Sequence, residues 1–189
     1  MKKYDFKKLI ICIPLLWIYG CNNSNKATKD QPDNSIEITT TKTESYCGGA
    51  QPSEETLKKL REPKAYPNAT LYLREGEENN YKKPYYKKLK SDSVGKVNVN
   101  LPKGVYSVVF DNKSGVKKYN QILKSVEKSS SHDTIDKKCL ENYFTKPDGL
   151  IVVTDSLQKV TINRHFPCEW ESIPCSYFSG GLPPSIQSK

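Results

Sequence analysis

The chain has 189 residues, 35% of them hydrophobic, with 30 basic against 21 acidic side chains and a formal net charge of +9. That length holds one domain with a real core plus short extensions. The positive excess is modest and no nucleic-acid-binding motif accompanies it, so nucleic acid is excluded as a partner class, leaving solubility or attraction to anionic headgroups.

At the N-terminus, Lys2, Lys3, Lys7 and Lys8 precede an apolar run from Leu9 to Tyr19, broken by Pro14 and followed by Gly20-Cys21. The run is too short to span a bilayer core and has the form of a signal-peptide h-region, so residues 1–20 are expected to be removed. The sequence Ile18-Tyr19-Gly20-Cys21 resembles a bacterial lipobox, departing from it at Ile18, where Leu is usual, and at Tyr19, where a smaller residue is common. The resemblance implies cleavage before Cys21 and lipidation of its thiol. Two or more acyl chains hold a protein stably where one holds it marginally, so the lipid bilayer is the first expected partner. The expected location is the bacterial cell envelope, on the outer membrane, with the domain in the periplasm or at the cell surface. Residues 21–45, polar and rich in Asn, Thr and Lys, read as a flexible tether, and 46–189 as the folded domain with its C-terminal extension.

Beyond the signal's Cys12 and the lipid site, Cys47, Cys139, Cys168 and Cys175 remain, an even set in an oxidising compartment, so two disulfides are expected with three possible connectivities. On the chain-entropy model a Cys168–Cys175 bridge would contribute roughly 2–3 kcal/mol, and a bridge closing about a hundred residues roughly 4–5. This favours Cys47 or Cys139 reaching the C-terminal cysteines.

Within the domain, Ser53 is an expected N-cap for a short helix from Glu54 to Arg61, with Glu54 and Glu55 in its first turn, basic residues in its last and Pro63 beyond. Ala69 to Arg74 reads as the first strand, and Glu75 to Pro84 as an exposed connection. In Asn80 to Lys90, lysines interleave with tyrosines: Tyr81, Lys82, Lys83, Tyr85, Tyr86, Lys87 and Lys88. Such a stretch suits a ligand surface for an acidic glycan, with rings stacking and ammonium groups pairing. It equally suits an edge strand whose lysines prevent edge-to-edge association.

From Ser91 to Phe110 the alternation is strongest. Val97, Val99 and Leu101 alternate with polar residues, Tyr106, Val108 and Phe110 repeat the period, and Pro102 and Gly104 supply turn chemistry between them. A hairpin is expected, extended to a meander by Tyr85 to Lys90 through the Asp92–Gly95 turn. The residues Asp92, Gly95, Val97, Val99, Leu101, Pro102, Gly104, Tyr106 and Val108 resemble the carboxypeptidase regulatory-like family, related to prealbumin-like and Cna-B-like modules. The resemblance implies a mainly β fold, an antiparallel prealbumin-like β-sandwich serving as an accessory domain, here with one or two short helices and a disulfide-stapled C-terminal strap.

Further on, Tyr119 to Val126 fits either strand or helix, while Asp133 to Phe144 carries apolar residues at four-residue steps and predicts a helix with Cys139 pointing inward. Leu150 to Thr154 and Gln158 to Asn163 predict a second hairpin across Asp155-Ser156. The Pro-, Cys- and aromatic-rich tail reads as an irregular strap.

Neither His132 nor His165 opens a zinc-peptidase motif, and no nucleophile elbow or phosphate-binding glycine loop occurs. His165, Cys168, Cys175 and Cys139 are the donors a metal or thiol-redox site would use, but their spacing is not that of a usual zinc module and no C-x-x-C is present. The expectation is therefore a non-enzymatic envelope lipoprotein without cofactor or metal, acting as a binding or structural module for a glycan or envelope protein. An exported metal-binding or redox protein is the alternative.

Overall fold

The computed structural model describes residues 34–129, 132–154 and 158–179. The expected signal peptide, Cys21 and the Asp155-Ser156 turn lie outside them. From Asn34 onward the expected tether is corrected, because Asn34–Glu44 forms an 11-residue strand, β1. Its Ile36, Ile38 and Thr40 side chains are all fully buried. Each apolar side chain so buried contributes roughly 1.5–3 kcal/mol, enough to hold a polar-looking segment in a sheet.

Helix α1, Glu54–Arg61, forms as expected, with Ser53 Oγ accepting from Thr56 N at 3.2 Å. The strands that follow are β2 (Lys64–Ala65), β3 (Thr70–Glu75), β4 (Lys87–Lys90), β5 (Lys96–Leu101) and β6 (Gly104–Phe110). Helix α2 spans Val116–Glu127, β7 His132–Ile135, α3 Lys137–Thr145, β8 Gly149–Val153, β9 Gln158–Phe166 and β10 Ser176–Phe178.

Two sheets face each other. In the first, β1 pairs antiparallel with β5 and β2, and parallel with β9 from Ile36 opposite Gln158 to Glu44 opposite Phe166. The second is antiparallel throughout, in the order β4-β3-β6-β8. Ile36, Ile38, Val99, Leu101 and Ile162 of the first sheet form one core with Leu71, Leu73, Val108, Phe110, Ile151 and Val153 of the second. The fold is thus a mainly β sandwich, with three α-helices among the described residues where one or two were expected.

Both expected hairpins are corrected. β5 belongs to the first sheet and β6 to the second, so Pro102-Lys103 turns a corner between sheets, closed by Tyr106 Oη donating to Pro102 O at 3.0 Å. Likewise β8 pairs with β6 and β9 with β1. The meander is corrected too, since β4 pairs with β3. The turn chemistry itself holds. Gly95 N donates to Asp92 O at 3.2 Å, and Asp92 Oδ1 accepts from Val94 N at 2.9 Å and Lys96 N at 2.8 Å. These backbone bonds, Lys96 N–H first among them, hold the Asp92 carboxyl below its ordinary range.

The ambiguous segment is helical, as α2. The helix expected from Asp133 begins later, because Asp136 caps α3 by accepting from Lys138 N at 2.9 Å and Cys139 N at 3.0 Å. Before it, β7 pairs with β10. Cys139, expected to face the core, is exposed, while Leu140 and Phe144 at the i and i+4 positions of the buried face are fully buried.

Candidate functional site

The four described cysteines form two bridges, Cys47–Cys168 and Cys139–Cys175, each joining a C-terminal cysteine to an earlier element. The first follows from register: β1 and β9 run parallel with Glu44 opposite Phe166, Ser45 N donates to Phe166 O at 2.9 Å, and the two cysteines lie just past both strand ends. The second ties the strap to α3, 36 residues away in sequence. With all four paired, no thiolate remains on them for metal or redox chemistry. His165 sits apart from that chemistry as well, its Nδ1 at 3.2 Å from Thr43 Oγ1 and its Nε2 at 2.9 Å from Ser45 Oγ. His132 is buried in an edge contact with Phe178 and, through Nδ1, with Ser129 Oγ at 3.2 Å.

The lysine–tyrosine stretch divides into two parts. Lys87 and Lys88 lie on β4, the edge strand of the second sheet, with Lys88 Nζ 5.6 Å from the Tyr72 ring centroid and Lys87 Nζ 3.4 Å from Asn100 O. That is the arrangement of an edge kept from pairing with another chain. Tyr85 and Tyr86 are both 47% exposed, Tyr85 edge-on to Tyr72 and Tyr86 against Tyr106.

Tyr81 is a correction to the expected surface. It is 4% exposed, stacked on Tyr119 at 5.3 Å and tilted against Phe144 at 5.0 Å, within a second cluster built from α2, α3 and Cys175. A tyrosine ring carries enough apolar area to anchor a loop, and burial raises the Tyr81 hydroxyl above its usual range. Anchored there, Tyr81 leaves its neighbours Lys82 and Lys83 exposed.

A buried polar network fixes the same loop. Arg74, 4% exposed, donates Nη1 to Asn79 Oδ1 at 2.6 Å, Nη2 to Ser114 O at 2.6 Å and Nε to Lys83 O at 3.2 Å. Asn79 Nδ2 in turn donates to Phe144 O at 2.6 Å and Lys113 O at 3.1 Å. Desolvation lowers the Arg74 pKa, yet the guanidinium keeps its charge and distributes its donors over three segments.

The network brings Lys82 and Lys83 beside the start of α2. A groove of about 580 Å³ is lined by Lys82, Lys83 and Tyr85 of the loop, Lys117 and Lys118 of α2, and Tyr72 of β3. Lys82 lies 3.8 Å from Glu141 and Lys118 3.1 Å from Asp111, whereas Lys83 and Lys117 form no ion pair among the described residues. The first turn of α2 holds no acidic residue and its Gly115 cap no side chain, so its free N–H groups add to the positive potential. Sequence reasoning found Lys82, Lys83 and Tyr85 but missed Lys117 and Lys118, which 31 or more intervening residues separate from them; only the packing of α2 on Tyr81 brings them together.

A second, larger groove of about 860 Å³ adjoins this one, sharing Asp111, Lys118 and Gln121, and runs between α2, the end of β9 and the strap. No helix among the described residues is long and apolar enough to cross a membrane. Comparison with known proteins finds no protein-family model and no curated protein that matches the chain, so the carboxypeptidase regulatory-like resemblance rests on its residues alone.

Proposed function

We propose that the chain is a non-enzymatic binding module of a bacterial cell envelope, lipidated at Cys21, whose lysine groove engages an acidic glycan. The observation that carries the reading is the convergence of Lys82 and Lys83 with Lys117 and Lys118 beside the exposed ring of Tyr85. Ammonium groups pair with the carboxylates or sulfates of such a polymer, and tyrosine rings pack on sugar faces. The two cross-fold disulfides support an exported site of action, since such bridges persist in oxidising compartments. The carboxypeptidase regulatory-like resemblance agrees, because modules of that family act as accessory domains.

Two experiments test the reading separately. Cys21→Ser should abolish fatty-acid labelling and release the protein from membrane fractions; retained labelling removes the anchor from the account. A Lys82→Gln/Lys83→Gln/Lys117→Gln variant should lose retention on an immobilised acidic polysaccharide while melting as the wild type does. Anionic liposomes form the second arm, and loss of liposome binding without loss of polysaccharide binding would assign the groove to lipid headgroups instead.

A further inference from the structure

The larger groove contains a cation that the fold itself does not neutralise. Arg164, on β9, lies over the Phe166 ring at 4.8 Å from its centroid, with Phe110 at 5.7 Å and Tyr66 at 5.9 Å, and donates Nη1 to Tyr66 Oη at 3.3 Å. It forms no ion pair among the described residues. The groove's acids are engaged elsewhere or set at its rim. Asp111 pairs with Lys118 at 3.1 Å, and Asp148 pairs with Lys113 at 2.5 Å and accepts from Phe110 N at 2.8 Å. Glu171 lies exposed on the strap.

Stacking engages the face of a guanidinium and leaves its in-plane N–H groups for a planar acceptor. A second donor lines the same groove: Tyr143 Oη accepts from Asn112 Nδ2 at 2.6 Å, which leaves its own proton to donate. Between these polar groups the walls are apolar, formed by Ile122, Phe166, Pro167 and Pro174. The volume, about 860 Å³, is that of a site for a small molecule or a few residues of peptide.

We propose that this groove binds a monoanionic carboxylate attached to an apolar or aromatic body, with the Arg164 fork and the Tyr143 hydroxyl holding the carboxylate and the apolar walls holding the body. One uncompensated guanidinium matches one negative charge. A phosphate dianion would bring a second charge toward Asp148 and Glu171 with no cation left to meet it. A small aryl acid and the free C-terminus of a peptide ending in an aromatic residue share this chemistry. The site adjoins the lysine groove but is distinct from it: its cation comes from β9, its hydroxyl from α3, and its apolar walls from α2, the end of β9 and the strap, and none of Lys82, Lys83 and Lys117 lines it.

Calorimetric titration of the oxidised protein with phenylacetate, phenylacetamide, phenyl phosphate, and a short peptide ending in Phe as free acid or C-terminal amide tests the proposal. Phenylacetate or the free-acid peptide should bind, and which of the two binds more tightly separates the two sources. The amides should bind at least about tenfold more weakly, the loss of one charge-assisted pair. R164Q should weaken binding about 10- to 100-fold and Y143F a few-fold, while the triple lysine variant leaves carboxylate binding unchanged. Should R164Q fail to fold, R164K keeps the charge while losing the fork, and a loss of about tenfold is expected from it. Binding by none of the probes, equal binding of acid and amide, tighter binding of phenyl phosphate, or undiminished binding by R164K would each overturn the assignment.

Discussion

Replacing Arg74 by Met tests the link between the buried network and the groove it shapes. Met keeps an unbranched stem of similar length but removes every donor, orphaning Lys83 O, Asn79 Oδ1 and Ser114 O, which lie 3.2, 2.6 and 2.6 Å from the guanidinium nitrogens. A buried acceptor left without a partner costs roughly 1–3 kcal/mol. Against this stands the desolvation that the guanidinium suffers in the native fold, which the substitution relieves. Loop relaxation toward water recovers part of the rest, so the net expected loss is about 3 kcal/mol, a fall in Tm of roughly 6–12 °C at about 2–4 °C per kcal/mol. Urea unfolding of oxidised protein, followed by tryptophan fluorescence, measures it. The same variant should lose polysaccharide retention although no lysine has changed, because the segment carrying Lys82 and Lys83 loses its fixing bonds. A stability within about 0.5 kcal/mol of wild type, with retention intact, would refute the reasoning.

Three further outcomes follow from the fold. Removing the Cys47–Cys168 bridge by double Ala substitution should cost about 5 kcal/mol and removing Cys139–Cys175 about 4, given separations of 121 and 36 residues, and equilibrium unfolding of each variant reads the order directly. Gly95 has φ +83°, and a Cβ there would stand 2.7 Å from Thr40 O, so Gly95→Ala should cost roughly 2–4 kcal/mol. Gly95→Asn should not rescue it, since Asn tolerates the backbone but carries the same Cβ; a wild-type melting curve for Gly95→Asn would remove the contact from the account. Burial raises the hydroxyls of Tyr81, Tyr119 and Tyr143. Each therefore stabilises the fold fully below the unfolded tyrosine pKa of about 10 and loses that contribution as pH rises through its higher folded value. An alkaline absorbance titration should show a late tyrosine phase that merges with unfolding, and Y143F should shrink it.

How much of this was legible in the chain depends on the range of the interaction. Asp92, Gly95, Ser53 and the alternating residues of β5 and β6 act within a few positions, and the elements they define stand as expected. Partner choice does not. Pro102 and Gly104 reverse the chain equally well within a sheet or between sheets, and what sends β5 to β1 is burial of Val99 and Leu101 beside Ile36, which no local signal encodes. β1 reads as tether because nine of its eleven residues are polar, although Ile36, Ile38 and Thr40 keep the period of two. Its parallel partner β9 lies 122 positions further on. β6 blurs its own pattern, with Ser107 and Val109 buried as well as Tyr106 and Val108, because elements cover both of its faces. Of the candidate site, the loop lysines were readable as a charge run, whereas Lys117, Lys118 and Arg164 became functional candidates only through packing.

The salt dependence of polysaccharide binding tests the central claim most directly. If the groove lysines neutralise the acidic polymer, log K falls linearly with log salt, and the Lys82→Gln/Lys83→Gln/Lys117→Gln variant reduces that slope by about one per lysine. An equal slope in variant and wild type, at equal affinity, would contradict the account.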